Sequence, residues 1–162
     1  MKPTLINNLD FAKRQAKISS EIDTSTCERL NDFIEDDAQL KKQIHYTLIG
    51  NTAKFHLPSL ALEINASLPV ICQRCLQNMQ LDLSLAYEYV IADAEPGAFD
   101  NDDEIDWLET AREMNVNELV EDELLMAMPL GPMHDYACKP PLQEEVEKPN
   151  PFAVLQKLMR TE

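Results

Sequence analysis

Apolar and polar residues alternate along three stretches between residues 40 and 91, which is the spacing of strands with one buried face. The first stretch runs from Leu40 to Leu48 and ends at the turn signal Gly50-Asn51. The second begins at residue 53, is broken near Pro58 and continues to Val70, and the third covers residues 81–91. Polar residues fill the positions between the apolar ones. The pattern therefore predicts an antiparallel β-meander with one buried face and one solvent-exposed face.

Two stretches with helical character flank this meander. The first starts at Ser25 or Thr26, both typical N-caps, and extends to residue 34. In the second, apolar residues recur at helical spacing between residues 116 and 128, after a cap at Asn115 or Asn117. Pro129 stops this helix. We therefore predict the α+β fold class: an antiparallel β-meander flanked by helices, with a proline-rich C-terminal extension.

The predicted domain organisation is simple. Residues 1–147 are expected to form a single α+β domain with an acidic loop near residues 93–106, where Pro96 and Gly97 lie among acids. Residues 148–162 are expected to form a C-terminal helical tail, since Asn150-Pro151 can start a helix. The apolar stripe of that tail consists of Phe152, Leu155, Leu158 and Met159.

The chain is strongly acidic, with 29 Asp and Glu residues, 14 Lys and Arg residues and a formal net charge of −15. Most of the excess lies between Asp93 and Glu123, where 13 acidic residues accompany one basic residue. Such a field repels phosphate backbones and attracts cationic surfaces, so it favours a basic protein partner over bare nucleic acid. The alternative is that the charge serves solubility alone. The predicted partner-binding residues are Asp102, Asp103, Glu104 and Asp106 in the acidic loop and Phe152 and Leu155 in the tail.

The N-terminus has no signal peptide, and no window approaches the roughly 18 apolar residues of a membrane span. We therefore expect a cytoplasmic protein without membrane contact. In that compartment cysteines are reduced thiols or metal ligands.

The motif Cys72-Gln73-Arg74-Cys75 lies between two predicted strands and has three interpretations. A structural zinc site needs two thiolates on a tight turn and two further ligands, for which His134 and Cys138 are candidates. A redox pair normally precedes a helix in a parallel βαβ unit, and here a strand follows. The third interpretation is a structural hairpin with free thiols. No cofactor other than zinc is predicted.

No enzyme motif is recognisable in the sequence. The chain has three glycines, too few for an easy phosphate-binding loop, and it lacks Gly-x-Ser-x-Gly and His-Glu-x-x-His patterns. The acidic run could hold a metal ion only if paired carboxylates were fixed on a scaffold, and it falls largely in a predicted loop. We therefore predict a protein that is not an enzyme.

Three segments taken in order resemble the YceD family, known as large ribosomal RNA subunit accumulation proteins. They are Cys72-Gln73-Arg74-Cys75-Leu76, then the run from Val120 to Pro129 with His134 and Cys138 after it, and finally the run from Lys148 to Leu155. The resemblance implies a role in accumulation of large-subunit ribosomal RNA and no known catalytic activity. Cys72, Cys75 and Cys138 fall on cysteine positions of that family, whereas Cys27 does not.

The family's gene commonly neighbours that of a small basic ribosomal protein, which suggests a partner. The function expected from these observations is a non-enzymatic factor in large ribosomal subunit biogenesis. It would bind a basic ribosomal protein or assembly factor of the large subunit through its acidic surface. The alternative is a metal-dependent RNA-processing enzyme that uses a carboxylate-bound metal.

Overall fold

The computed structural model describes residues 4–52, 57–93 and 106–141. Its helices and strands, numbered in chain order, are β1 (Leu5–Ile6), α1 (Asn8–Lys13), β2 (Lys17–Ile22), β3 (Gln43–Asn51), β4 (Ser59–Ile71), β5 (Asn78–Ile91), β6 (Asp106–Leu108), β7 (Met114–Asn115) and α2 (Val116–Ala127). None of the helices in these ranges is long and apolar enough to cross a membrane.

The main structural unit is a five-stranded sheet with the strand order β2-β3-β4-β5-β6. The first four strands pair antiparallel with their neighbours in the chain, whereas β6 pairs parallel to β5. A separate two-stranded sheet joins β1 to β7 at the start of α2. The α+β class is confirmed. The parallel strand was not predicted, because residues 106–108 fall at the edge of the predicted acidic loop.

The core lies on one face of the sheet, which is the face predicted from the alternating pattern. Its central strand contributes Leu60, Leu62, Ile64 and Leu68, all without solvent exposure, and each such side chain stabilises the fold by about 1.5–3 kcal/mol. The helix α2 covers part of this face with Val116, Val120 and Leu124. The opposite face is polar and carries cross-strand hydrogen bonds, which include Ser19–Thr47, Ser84–Asn65 and Ser67–Asp82.

The predicted turn at Gly50-Asn51 is wrong, since both residues lie within β3. Gly50 is paired with Leu60, and its N–H donates to the carbonyl of Ala16 at 2.8 Å. A Cβ at this position would overlap the carbonyl oxygen of Phe11 and lie 2.8 Å from the Cα of Ala12. The glycine therefore marks close contact with α1 rather than a turn.

The predicted helix between residues 25 and 34 is also wrong. Two short 3-10 turns, Thr24–Thr26 and Leu30–Asp32, occupy this region. The cap is Asp23, whose side chain accepts a hydrogen bond from the N–H of Ser25 at 2.9 Å. Thr24, Cys27 and Leu30 are buried, and the other residues between Thr24 and Leu30 are exposed. The region is therefore held by single anchors three residues apart instead of a continuous apolar face.

The boundaries of α2 follow the local sequence. Asn115 caps the helix by accepting from the N–H of Asn117 at 3.2 Å, and its amide donates to Glu118 at 2.9 Å. The helix ends one residue before Met128, which is followed by Pro129. The predicted cap at Asn115 and the predicted stop at Pro129 are thus confirmed.

Several predicted features lie outside the described residues. They are the C-terminal tail of residues 148–162 with Phe152 and Leu155, and the acidic residues Asp102, Asp103 and Glu104. Asp106 is described. It is exposed at the start of β6, opposite Tyr89 of β5.

Candidate metal centre

The connection between β4 and β5 forms a tight knuckle that carries the first pair of cysteines. The carbonyl of Cys72 accepts from the N–H of Leu76 at 2.9 Å, and the N–H of Cys72 donates to the carbonyl of Gln77 at 3.0 Å. Leu76 has a positive φ of 57°, which closes the turn. The thiols of Cys72 and Cys75 are both buried, so this turn holds the pair on its inner side.

The segment after α2 is held against this knuckle. The N–H of Gln73 donates to the carbonyl of Pro132 at 2.8 Å, and Arg74 donates from Nη1 to the carbonyl of Tyr136 at 3.1 Å. The N–H of Cys138 bonds the carbonyl of Tyr136 at 2.8 Å. The contacts made by Gln73 and Arg74 bring residues 132–138 beside the knuckle.

The structure brings the four predicted ligands together. The donor atoms of Cys72, Cys75, His134 and Cys138 all lie within 4.8 Å of one another. Cys72 Sγ lies 3.7 Å from Cys138 Sγ, and Cys75 Sγ lies 3.4 Å from Nδ1 of His134. It is the only group of three or more metal-ligating side chains of this kind within residues 4–52, 57–93 and 106–141.

Two of the donor separations fit a tetrahedral zinc ion. Bond lengths of about 2.3 Å to sulfur and about 2.0 Å to nitrogen separate two sulfur ligands by about 3.8 Å, and sulfur from nitrogen by about 3.5 Å. The observed separations of 3.7 Å and 3.4 Å agree with both values. Three thiols and one imidazole also form a donor set with the softness that zinc prefers.

The thiols of the cluster differ in how easily they lose a proton. Burial on its own would raise the pKa of the Cys72 thiol. Hydrogen bonds from the backbone N–H groups of Arg74, Cys75 and His134 outweigh burial and lower this pKa to about 5. For Cys138, burial and the neighbouring thiols raise the pKa. At neutral pH the metal-free protein therefore holds the Cys72 side chain as a thiolate, which is the form that binds a metal.

The fourth cysteine of the chain is not part of the cluster. Cys27 is buried in the hydrophobic core near the first 3-10 turn. Burial and the nearby carboxylate of Glu121 raise the pKa of its thiol. It is therefore an unreactive core side chain.

Comparison with known proteins matches the two cysteine segments and most of the sheet to one family. The family model described as "Large ribosomal RNA subunit accumulation protein YceD" matches residues 60–159, which is more than half of the chain. This chain belongs to the YceD family. No solved structure matches it.

A curated YceD protein shows the same relationship at the level of individual residues. The large ribosomal RNA subunit accumulation protein YceD of Haemophilus influenzae is 35% identical over 108 residues. The aligned part covers 54% of this chain and 57% of the Haemophilus protein, so it spans little more than half of that relative.

Two acidic residues of α2, in the run from Val120 that resembles the YceD family, make structural contacts that the sequence did not reveal. Glu121 is buried and accepts hydrogen bonds from the N–H groups of Arg29 and Leu30 at 2.9 and 3.1 Å. It also pairs with the guanidinium of Arg29 at 3.0 Å. Buried Glu123 accepts a hydrogen bond from the hydroxyl of Tyr89 at 2.6 Å. These carboxylates therefore attach α2 to the 3-10 turn and to the sheet.

The helical spacing of α2 contained a signal for the structural role of Glu121 and Glu123. Glu121 follows Val120 and Glu123 precedes Leu124, and both apolar residues lie on the buried face of α2. Acids beside core positions are expected to need internal partners. The sequence interpretation counted them with the acidic run as a whole.

Proposed function

We propose that this protein is a non-enzymatic factor in large ribosomal subunit biogenesis, which supports accumulation of large-subunit ribosomal RNA. The observation that carries the proposal is the match of residues 60–159 to the YceD family, whose name describes that process. The curated Haemophilus relative bears the same name.

The second part of the proposal concerns the metal centre. Cys72, Cys75 and Cys138 would hold a structural zinc ion as thiolates, and His134 would complete the site through Nδ1. Zinc supplies a cross-link here, because its four protein ligands leave no open position for a substrate. The ion would join the β4–β5 knuckle to the segment after α2. The proposed zinc site is supported by the donor separations of 3.7 and 3.4 Å and by the lowered pKa of Cys72.

The third part of the proposal is a basic protein partner of the large subunit, either a ribosomal protein or an assembly factor. A net charge of −15 supports this class of partner, since opposite charges speed association and like charges repel ribosomal RNA. Asp106 is an exposed acid of the predicted binding segment. An acidic surface of this kind would hold a basic protein until ribosomal RNA replaces it.

The alternative, an RNA-processing enzyme with a carboxylate-bound metal, gains no support from the carboxylates of α2. Glu121 and Asp122 are engaged with Arg29, and Glu123 with Tyr89. Purified protein incubated with ribosomal RNA precursor and Mg²⁺ is expected to leave the RNA intact. Cleavage that depends on the protein and on Mg²⁺ would favour the enzyme.

The process itself is tested in cells that lack the gene, by the ratio of large-subunit to small-subunit ribosomal RNA. We expect a lowered ratio that the parent protein restores. The double variant Cys72→Ser/Cys75→Ser should fail to restore it, whereas the matched control Cys27→Ser should succeed at equal protein level. An unchanged ratio in cells without the protein would contradict the proposed function.

A further inference from the structure

Large apolar side chains are exposed on the two segments that carry the metal-ligand residues. Leu76 is 59% exposed, Leu130 is fully exposed, Met133 is 50% exposed and Tyr136 is 64% exposed. We name these four residues the knuckle face. Exposed apolar side chains scattered singly are ordinary, but a group on two adjoining segments indicates an interaction site.

The knuckle face is held in place by specific contacts. The guanidinium of Arg74 donates to the carbonyl of Tyr136 at 3.1 Å and contacts Sδ of Met133 at 3.7 Å. Leu76 has a φ of 57°, a conformation that glycine or asparagine usually occupies. More than half of the surface of Leu76 is nevertheless exposed. Its side chain is thus presented to solvent by a strained turn.

The exposed stripe of α2 leads towards this face. Glu118, Asp122 and Met126 are exposed and follow one another at intervals of four residues, so they line one side of the helix. Glu118 lies in the first turn, and Asp122 lies near the middle of the helix, where it pairs with Arg29 at 2.6 Å. Met126 lies at the C-terminal end, shortly before Leu130, and is 71% exposed. The surface therefore changes from acidic to apolar along the helix.

We propose that the knuckle face and the stripe of α2 form one docking surface for a basic protein segment with apolar side chains. A lysine or arginine residue of the partner would lie against Glu118, beside the ion pair of Asp122 with Arg29, and apolar ones would lie against Met126 and the knuckle face. The net charge of −15 selects a cationic protein over RNA. For the partner's identity as a large-subunit protein, this inference rests on the proposed function.

The test uses the full-length protein, immobilised, and the RNA-free protein fraction extracted from purified large ribosomal subunits. Retained proteins are identified and their affinities then measured one by one. We expect a basic protein to bind the parent, and the double variant Leu130→Ser/Met133→Ser to weaken it by about tenfold or more. Glu118→Gln should weaken binding most at low salt. The matched control is Leu5→Ser, a leucine that is 53% exposed, close to the exposure of Met133, and that is paired with β7 at the opposite end of α2.

Four other results would each overturn the proposed docking surface, and each has a different cause. If the parent binds a basic protein and the double variant binds it equally well, the docking surface is wrong while the proposed partner class stands. If the parent retains no protein from the subunit, the partner class and this surface both fail. If the double variant converts a dimer to a monomer, a second copy covers the face. A third comparison uses a chain that ends after Pro141. If this truncation and the double variant lower the melting temperature equally, and combining them lowers it no further, the C-terminal tail covers the knuckle face.

Discussion

The Sγ atoms of Cys72 and Cys138 lie 3.7 Å apart, although 66 positions separate the two residues in the chain. One belongs to the knuckle between β4 and β5, and the other follows α2 by eleven residues, counted from Ala127 to Cys138. A metal bound at this point would fix an irregular segment that contains little secondary structure of its own.

Removal of the Glu121 carboxylate should destabilise the fold. Glu121→Ala leaves two backbone N–H groups, those of Arg29 and Leu30, without their acceptor in a buried site. We expect a loss of about 2–4 kcal/mol in the free energy of unfolding, measured by urea denaturation. Asp122→Ala is the matched control, because this acid is exposed and also bonds Arg29. It should cost less than about 1 kcal/mol, and equal costs would show that burial at Glu121 is unimportant.

Gly50 should not tolerate a side chain. Gly50→Ala places a Cβ against the carbonyl of Phe11 and 2.8 Å from Cα of Ala12, so that α1 and β3 must separate. The expected loss is about 1–3 kcal/mol of unfolding free energy. Gly131→Ala is the control, since its new Cβ would meet only Gln73 Cγ at 3.9 Å. It should change stability by no more than about 0.5 kcal/mol, and a larger loss than at Gly50 would contradict this account of the packing.

The Cys72 thiol should titrate far below an ordinary cysteine in the metal-free protein. Its pKa is lowered from 9.0 to about 5, so ultraviolet absorbance of the thiolate should rise near that pH and vanish in Cys72→Ser. A depressed pKa stabilises the fold at pH above the unfolded value, and this contribution is lost as pH falls towards 5. The metal-free parent should therefore lose stability between about pH 9 and pH 5 relative to Cys72→Ser. A thiolate transition near pH 9 at this residue would refute the assignment.

Neutralising the acidic loop should weaken partner binding without unfolding the protein. We expect Asp102→Asn, Asp103→Asn, Glu104→Gln and Asp106→Asn, combined in one chain, to slow association with the basic partner. The effect should be largest at low ionic strength, where screening is weakest. Association rates measured by surface plasmon resonance across a salt series would reveal it. Equal rates for parent and variant at low salt would make the acidic loop a solubility feature.

Much of the sheet could be predicted because its alternation is strong. The stretches from residue 60 to 70 and from 81 to 91 correspond to β4 and β5, where one buried face per strand sets the period. The candidate metal ligands could also be predicted from residue type. Few other residues could complete a metal site with the Cys-x-x-Cys turn, and the structure groups Cys72, Cys75, His134 and Cys138.

Other features depend on tertiary contacts that leave no local pattern. Gly50 has the sequence of a turn, yet the reason for a glycine is the neighbouring backbone of α1. Glu121 has the sequence of a surface acid, yet its partners lie more than ninety positions away at Arg29 and Leu30. The parallel pairing of β6 joins three residues to the edge of a long strand, and three residues are too few to show a period.

The zinc content of protein purified without a histidine tag tests the central structural claim most directly. We predict about one zinc ion per chain, its loss in Cys138→Ser, and its retention in Cys27→Ser, with a chelator lowering the melting temperature of the parent. The separation of 3.7 Å between Cys72 Sγ and Cys138 Sγ is the geometric basis of this expectation. Less than about a tenth of a zinc ion per chain, or an equal content in Cys138→Ser and the parent, would contradict it.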